Sequence, residues 1–417
     1  MAKIFPFKGV RPTKDKVHLV VSRSVETYSK TEINAKMISN PYSFLHIIKE
    51  VPNVAKQKNS NREQLVQIKK KYKQFLKENT FKIDEQECYY LYEQVKDGTS
   101  YTGIIGIISI DDYLEGNVKV HEQTLTERET KLKEYLEICD FNAEPVCFLF
   151  PDNAGIDSII KETRKQNPEY FFTTADKVTH LLWLIQEESV LQKLKEHFQS
   201  IPSVYIADGH HRSASSALLG QFRRKQKSDF SGEEGFNFYM GIFFPESSLR
   251  IFDFNRVVRD LNHMAADTLI DRLKNHFEVT LITQETYSPV AIHEMSMYLE
   301  GRFYRLKALK HLYTNVGITD SLDAHILTKH ILQPLFGITD LKTDKRVSFI
   351  PGIKGSIALK NAVDSGKFAV AFGLYPVAMK QLKEIADTGN IMPPKTTWVE
   401  PKLRSGLVIY DMELKGN

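Results

Sequence analysis

The sequence predicts an α+β protein that packs in more than one unit. Runs of aromatic and β-branched residues, "CYYLYEQV", "YTGIIGIISI" and "VCFLF", lie between turn signals and predict a sheet. Apolar residues at steps of three and four in residues 61–80 predict an amphipathic helix. A length of 417 residues exceeds one ordinary core, and we expect domains at residues 1–230 and 231–417.

The composition is that of a globular protein and excludes several classes. Hydrophobic residues make up 42% and charged residues 26%, which argues against a disordered or fibrous chain. Lys and Arg exceed Asp and Glu by only 56 to 52, which argues against a nucleic-acid partner. The sequence contains no signal-type segment and no apolar window of membrane length, so we expect a cytoplasmic protein with no membrane partner. Cys88, Cys139 and Cys147 form no CxxC pair and are predicted to be buried thiols.

The first half of the chain alternates strands and helices. The segment "KVHLVVS" predicts a β-rich entry before the helix of residues 61–80. Among the sheet strands, "HEQTLTERETKLKEYLEIC" begins with capping-type residues and continues as a helix with early acids and later lysines. A strand "THLLWLI", a helix "EESVLQKLKEHFQSI", a strand "SVYIAD" and a helix "HHRSASSALLGQFRRKQK" follow.

The second half is predicted to be more helical. After a polar break, "FNFYMGIFFP" and "LRIFDFNRVV" are predicted to be paired strands. Residues 261–335 are predicted to be mostly helical, with a strand pair near "GRFYRLKAL".

The stretch "YIADGHHRSAS", residues 205–215, concentrates ionisable side chains where a strand meets a helix. Backbone N–H groups at a helix start are unsatisfied, and the helix dipole favours an anion there. Gly209 permits a tight turn or the close approach of a ligand. Arg212 offers a forked cationic donor, and His210 and His211 add further donors. We predict a phosphate site, and prefer phosphate to a metal ion because adjacent histidines on a helix point in different directions.

Asp208 ends the apolar strand before this turn. A carboxylate there needs Mg²⁺, a hydrogen-bond donor or a substrate hydroxyl, because an isolated buried charge is costly. Capping of the next helix explains Asp208 equally well when it is taken alone. Taken alone, Arg212 is better explained by a surface salt bridge, and each histidine by an ordinary hydrogen bond. It is the combination that predicts a site.

Two further polar clusters lie far from the turn in the sequence. Residues 121–129, "HEQTLTERE", place His121, Glu122 and Thr124 at a helix entrance, with a solvated and well-capped helix as the alternative. Residues 392–406, "MPPKTTWVEPKLRSG", contain prolines that disfavour helix and predict a rigid loop. Such loops are seldom built for packing, and an exposed charged tail is the alternative. The candidate residues in the loop are Lys395, Thr396, Lys402 and Arg404.

At "IADGHHRSAS" the chain resembles the ParB and sulfiredoxin superfamily, whose ligand turn is a short Gly, His and Arg motif at a helix start. The resemblance is strongest to the serine kinase branch, which uses a DGHHR form. A fuller match is to a family long catalogued as a domain of unknown function. That match extends nearly end to end, at "KGVRP", "NPYSFLHI", "TGIIGIISIDDY", "VKVHEQT", "IADGHHR", "YPVAMKQL" and "MPPKTTWVEPKLRSGL". It implies a ParB/sulfiredoxin-like core with additional mixed α/β regions.

The resemblance implies a pyrophosphate-dependent serine kinase, which transfers a phosphoryl group from pyrophosphate to free L-serine with Mg²⁺ as cofactor. Its products are O-phosphoserine and phosphate. The catalytic residues it implies are Asp208, Glu122 and His211, with Asp208 or Glu122 as the base or the Mg²⁺ carrier. The residues it implies for binding phosphate or serine are Gly209, His210, Arg212, Ser213, His121, Thr124, Lys395, Thr396, Lys402 and Arg404. These groups supply the positioning and charge neutralisation that phosphoryl transfer requires.

Several alternatives stay open. Residues 21–30, "VSRSVETYSK", replace a proline-rich stretch of many relatives, so the donor or acceptor differs here if that loop touches substrate. The chain has neither a GxxxxGK[ST] loop nor a kinase Gly-rich loop, which fits a donor other than ATP. Other possible functions are a phosphoserine phosphatase and a ParB-like nucleotide or DNA adaptor. The charge balance and the lack of a helix-turn-helix signal argue against the adaptor.

Overall fold

The structure is a computed structural model that describes residues 2–48, 61–227 and 229–415. The chain divides into two compact units. The first comprises Met1–Val120, Thr124–Leu249 and Pro401–Asn417, and the second comprises His121–Gln123 and Arg250–Glu400. The mixed α and β composition is confirmed. The predicted domains, residues 1–230 and 231–417, stay a prediction.

The helices and strands are numbered in chain order. The strands are β1 (Ile4–Phe5), β2 (Val10–Pro12), β3 (Ser22–Arg23), β4 (Phe81–Ile83), β5 (Tyr89–Lys96), β6 (Thr99–Ser109), β7 (Val118–Lys119), β8 (Phe141–Asn142), β9 (Val146–Phe150), β10 (Tyr170–Thr173), β11 (Thr179–Ile185), β12 (Val204–Asp208), β13 (Phe238–Pro245), β14 (Arg250–Val258), β15 (Phe277–Ile282), β16 (Glu294–Leu299), β17 (Arg302–Ala308), β18 (Val347–Pro351), β19 (Val370–Leu374), β20 (Thr397–Glu400), β21 (Arg404–Ser405) and β22 (Tyr410–Asp411). The helices are α1 (Val17–Val20), α2 (Lys30–Ser39), α3 (Leu45–Ile48), α4 (Asn61–Lys77), α5 (Ile110–Leu114), α6 (Thr126–Cys139), α7 (Ala154–Thr163), α8 (Glu188–Gln199), α9 (His210–Gln226), α10 (Ala266–Leu273), α11 (Asp323–Leu327), α12 (Gln333–Phe336), α13 (Gly355–Asp364) and α14 (Met379–Asp387).

The first unit is built on a mixed sheet with the order β10-β11-β5-β6-β13-β9-β12-β7, and β1 pairs with β6. Most neighbours are antiparallel, but β13 is parallel to β9 and β12 is parallel to β7. All five residues of β9 are buried, which is typical of a strand covered on both faces. The neighbouring strand β12 is buried up to its last residue, Asp208, so the sheet holds this residue at the boundary of the core.

Helix α9 continues the chain after β12 and packs closely because its side chains are small. Its buried positions include Ser213, Ala214 and Ala217. A Cβ at Gly220 would lie 2.2 Å from Cδ1 of Ile110, so only glycine allows this approach to α5. The predicted order of strand, glycine turn and helix is confirmed here.

The second unit is built on a sheet with the order β15-β17-β16-β19-β14-β18, in which β20 also pairs with β14. Its strand pairs are antiparallel. Met295, Leu306 and Phe372 are buried in its core together with Ile326 and Leu332 of the helical region. A π-helix at Thr328–Leu332 lies between α11 and α12.

Two predicted strand assignments are wrong. The segment "KVHLVVS" contains one turn of helix, α1, followed by the two-residue strand β3, because Val17 and Val20 are both buried at a helical spacing. The strands β13 and β14 exist, but they do not pair with each other. β13 pairs with β6 and β9, whereas β14 pairs with β18, β19 and β20 in the second unit.

Two further predictions underestimated strand content. In residues 261–335 the predicted strand pair near "GRFYRLKAL" is confirmed as β16 and β17, but the region also contains a third strand, β15, whose polar side chains alternate with apolar ones. The predicted loop of residues 392–406 contains β20 and β21. The prolines flank the β-branched and aromatic residues of β20 and do not interrupt them.

The three cysteines are buried free thiols, as predicted. Burial raises the pKa of both Cys88 and Cys139 to about 12. Within the described ranges, no helix has the combined length and apolar character needed to cross a membrane.

Candidate functional site

The turn between β12 and α9 begins at an irregular strand end. The pairing of β12 with β9 shifts register between Ile206 and Asp208, and such an irregularity changes the direction of the last side chain of the strand, that of Asp208. Gly209 follows at φ 107°, a conformation that favours glycine, and is the N-cap of the 17-residue helix α9. Its carbonyl accepts the N–H groups of Arg212 at 2.9 Å and Ser213 at 3.2 Å. Because Gly209 is the N-cap, Asp208 is not the capping residue of α9.

Asp208 instead forms an ion pair with the C-terminal segment. Lys402 Nζ donates to Asp208 Oδ2 at 3.0 Å, and the two side chains are 36% and 48% exposed. Desolvation alone would raise the pKa of Asp208, but Lys402 and Arg212 outweigh it and lower this pKa below its ordinary value. The carboxylate is therefore ionised at neutral pH.

Arg212 belongs to the first turn of α9, and its guanidinium lies beside Gly209. Its Nη1 donates to the carbonyl of Pro145 at 2.9 Å and to Glu144 Oε2 at 3.3 Å. A Cβ added to Gly209 would lie 3.0 Å from both Nε and Nη2 of Arg212. The absence of a side chain at Gly209 thus makes room for the guanidinium over the turn.

Arg404 lies in a more buried part of the same unit. Strand β21 pairs with β3, and Arg404 Nη2 donates to Asp176 Oδ2 at 2.8 Å. Its side chain is 6% exposed, and its buried Nε has no hydrogen-bond partner among the residues that the structure describes. Burial, reinforced by the nearby Arg404, lowers the pKa of His180 to about 3. This histidine is therefore neutral across the physiological range.

The remaining predicted residues of the first unit differ in accessibility. His210 and Ser213 are buried, and His211 is half-buried. Thr124 precedes α6, and its hydroxyl donates to the carboxylate of Glu129. In the first unit the structure therefore brings together the turn residues and Lys402, which is distant in sequence.

Four predicted residues belong to the second unit. The carbonyl of the buried His121 accepts the N–H of Met392 at 2.9 Å. The Thr396 hydroxyl donates to the carbonyl of Pro393 at 2.6 Å, and Lys395 Nζ lies 5.5 Å from the ring centre of Phe254. Glu122 is exposed. Of the predicted residues that are distant from the turn in sequence, Lys402 contacts the turn within the first unit, and these four lie in the second unit.

Three basic residues of the predicted site, all in the first unit, each form an ion pair with a carboxylate. Lys402 pairs with Asp208, Arg212 with Glu144, and Arg404 with Asp176. Glu144 and Asp176, the carboxylate partners of Arg212 and Arg404, were not among the predicted site residues. Glu144 is a lone acid before Pro145 and Asp176 lies in a turn between β10 and β11, and neither position carries a motif of its own.

The fold and the turn define a mixed α/β protein in which a strand, a glycine turn and a long helix follow one another. The chain belongs to the DUF1015 family, described as proteins of unknown function, whose model matches residues 4–325.

Three solved structures show limited similarity. A mutant free serine kinase in complex with AMP is 13% identical, with 74% of this chain and 93% of that chain covered and a TM-score of 0.39. A conserved hypothetical protein from Pyrococcus furiosus is 13% identical over 74% and 96%, with a TM-score of 0.35. C-terminally truncated SbnI from Staphylococcus aureus is 12% identical over 71% and 82%, with a TM-score of 0.37. No functionally curated protein matches the chain. At these values the similarities assign no function.

Proposed function

We propose that this chain is a phosphotransferase that moves a phosphoryl group from pyrophosphate to free L-serine, giving O-phosphoserine and phosphate. The observation that carries the proposal is the turn of residues 208–212. There an ionised carboxylate, a glycine at φ 107° and a guanidinium meet at the start of a long helix. The resemblance of the same residues to a serine kinase motif supports the choice of reaction. It also supports the proposal of a ParB/sulfiredoxin-like core around β12 and α9.

Phosphoryl transfer needs fixed positions and charge stabilisation more than covalent work by the protein. In this proposal Arg212, the first turn of α9 and Lys402 bind phosphate oxygens. Lys402 already donates to Asp208, so an incoming phosphate competes with a carboxylate for this cation. Pyrophosphate is charged enough to make that exchange favourable. The donor-binding role predicted for Arg404 is less direct, because its guanidinium is buried beside Asp176.

Asp208 fits a role in holding Mg²⁺. Across the part of the chain that the structure describes, no group of three His, Cys, Asp or Glu side chains is arranged to hold a metal ion. Mg²⁺ is often held by one or two carboxylates together with phosphate oxygens and water, so a single half-exposed aspartate is sufficient here. Bound Mg²⁺ supplies neutralisation of phosphate charge. The lowered pKa of Asp208 makes it a weak proton acceptor, which leaves His211 as the candidate base within the first unit. The base role of Glu122, which belongs to the second unit, stays a prediction from the sequence.

The binding roles predicted for His121, Thr124, Lys395 and Thr396 stay predictions from the sequence. His121 and Thr396 are buried within the second unit, and Thr124 already donates to Glu129. Each of these roles is tested by the same turnover measurement on single variants.

The experiment that tests the proposal is a donor comparison. Purified protein is mixed with L-serine, Mg²⁺ and either pyrophosphate, ATP or ADP, and O-phosphoserine is measured by mass spectrometry. Product with pyrophosphate alone supports the proposal, whereas product only with ATP or ADP changes the donor. Phosphate release from O-phosphoserine without an acceptor indicates a phosphatase. No turnover in any mixture refutes the assignment.

A matched pair of variants ties the activity to the turn. Asp208→Asn is expected to abolish turnover because the amide no longer supplies a charged oxygen ligand. Asp111→Asn is the control. Asp111 is 46% exposed and pairs at 2.6 Å with Arg224, at the other end of α9. Equal activity of the two variants would remove Asp208 from the site.

A further inference from the structure

The guanidinium of Arg212 is held by one edge. Nη1 donates to Glu144 Oε2 and to the carbonyl of Pro145. The other edge, formed by Nε and Nη2, is the part of Arg212 that lies nearest to the Cβ position of Gly209. The Nε and Nη2 edge carries two parallel N–H donors, with which an arginine can bind two oxygens of one oxyanion.

Glu144 is itself fixed by the C-terminal segment. Ser405 Oγ donates to Oε1 of Glu144, and the N–H of Gly406 donates to the carbonyl of Ala143 at 3.1 Å. The carboxylate therefore uses one oxygen to hold the C-terminal segment and the other to hold Arg212. The Glu144 and Arg212 side chains are 28% and 27% exposed, so solvent competes only in part for their contact.

We infer that Glu144 is a positioning residue for Arg212. It holds Nη1, and so aims the Nε and Nη2 edge at the turn, where that edge can bind two oxygens of one phosphoryl group. The identity of the ligand rests on the proposed function, but the positioning role does not. Glu144 touches no reacting atom in this assignment.

Positioning and charge predict opposite results at Glu144. A negative charge beside an anion site weakens anion binding, so a purely electrostatic effect would make both Glu144→Ala and Glu144→Gln bind phosphate more tightly. A positioning role predicts that Glu144→Ala binds more weakly, because binding must then immobilise a free arginine. That cost corresponds to about a five- to tenfold loss of affinity. Glu144→Gln keeps an oxygen for Nη1 and is expected to bind at least as tightly as the wild type.

The test is calorimetric titration of the full chain with inorganic phosphate and with magnesium pyrophosphate. Alongside the wild type, it compares Glu144→Ala, Glu144→Gln, Arg212→Ala and the double variant Glu144→Ala/Arg212→Ala. Glu144→Ala is expected to lose affinity only while Arg212 is present, since a positioning residue acts through its partner. Asp111→Ala, which removes the ion pair at the far end of α9, is the control for lost stability.

Each outcome bears on the inference. Unchanged or tighter phosphate binding by Glu144→Ala overturns it, as does an equal loss in the Arg212→Ala background. Weakened binding in Asp111→Ala as well would show a general effect of destabilising α9, and would also overturn it. Phosphate binding with the expected pattern but without serine phosphorylation would refute the proposed function and leave the positioning role standing. Binding of neither anion by the wild type would refute both.

Discussion

The glycine at the start of α9 offers the sharpest perturbation of the site. Gly209→Ala places a methyl group 3.0 Å from Nε and Nη2 of Arg212 and forces a non-glycine residue to φ 107°. The backbone conformation costs about 1–2 kcal/mol of stability. Arg212 must also move, and Glu144 and Pro145 restrain that movement. Loss of a charged hydrogen bond costs about 1.5–3 kcal/mol, so phosphate binding is expected to weaken by about 10- to 150-fold.

The control variant is Gly98→Ala. Gly98 has φ 75°, and a Cβ there would meet nothing within 4 Å, so it carries backbone strain without a neighbouring arginine. Urea unfolding is expected to show a similar loss of stability for both variants, and phosphate titration is expected to separate them. Phosphate affinity of Gly209→Ala equal to that of Gly98→Ala would refute the role given to the Arg212 edge.

Two other perturbations follow from the charged groups. Lys402→Met removes the main cation that lowers the pKa of Asp208. NMR titration should therefore find this pKa raised, and turnover should need several times more donor. An unchanged Asp208 titration would show that the 3.0 Å ion pair does not form in solution. His180 has a folded pKa of about 3, below its ordinary 6.5, so the unfolded chain binds a proton that the folded chain does not, and stability falls as pH is lowered from 6.5 towards 3. One such group changes the free energy of unfolding by about 1.4 kcal/mol per pH unit. Urea unfolding at pH 6.5 and 4.5 should show a smaller loss of stability for His180→Gln than for the wild type. An equal loss in both proteins would contradict this.

The elements around the turn could be predicted because their signals are local. The helical spacing of Leu65, Tyr72 and Phe75 is enough to identify α4, and all three side chains are buried as that spacing requires. The same holds for β12 and α9, where an apolar run predicts a strand, a glycine predicts a turn, and the following run rich in small residues predicts a helix.

The errors arose where tertiary packing decides the structure. Val17–Val20 is rich in β-branched residues, yet it forms a helical turn because Val17 and Val20 are buried there. β13 and β14 are strong strands that are close in sequence, but local pattern cannot show that the chain passes from one unit to the other between them.

The local structure of the turn could be predicted from its residue types, but the ion-pair partners of its side chains could not. Asp208 and Lys402 are 194 positions apart, and no local pattern indicates that they meet. The pairing of each cation with a carboxylate depends on Glu144 and Asp176, which are ordinary acids in the sequence. The basic residues of the motifs alone therefore do not indicate the net charge around them.

The chain returns to its first unit only after Glu400. Residues 401–411 must therefore be synthesised before Asp208 can meet its counter-ion and before β3 and β8 can acquire their partners β21 and β22. A chain that stops before Lys402 holds the DGHHR turn without the counter-ion of Asp208 and without β21 and β22, so assembly of the first unit depends on the synthesis of residues 401–411.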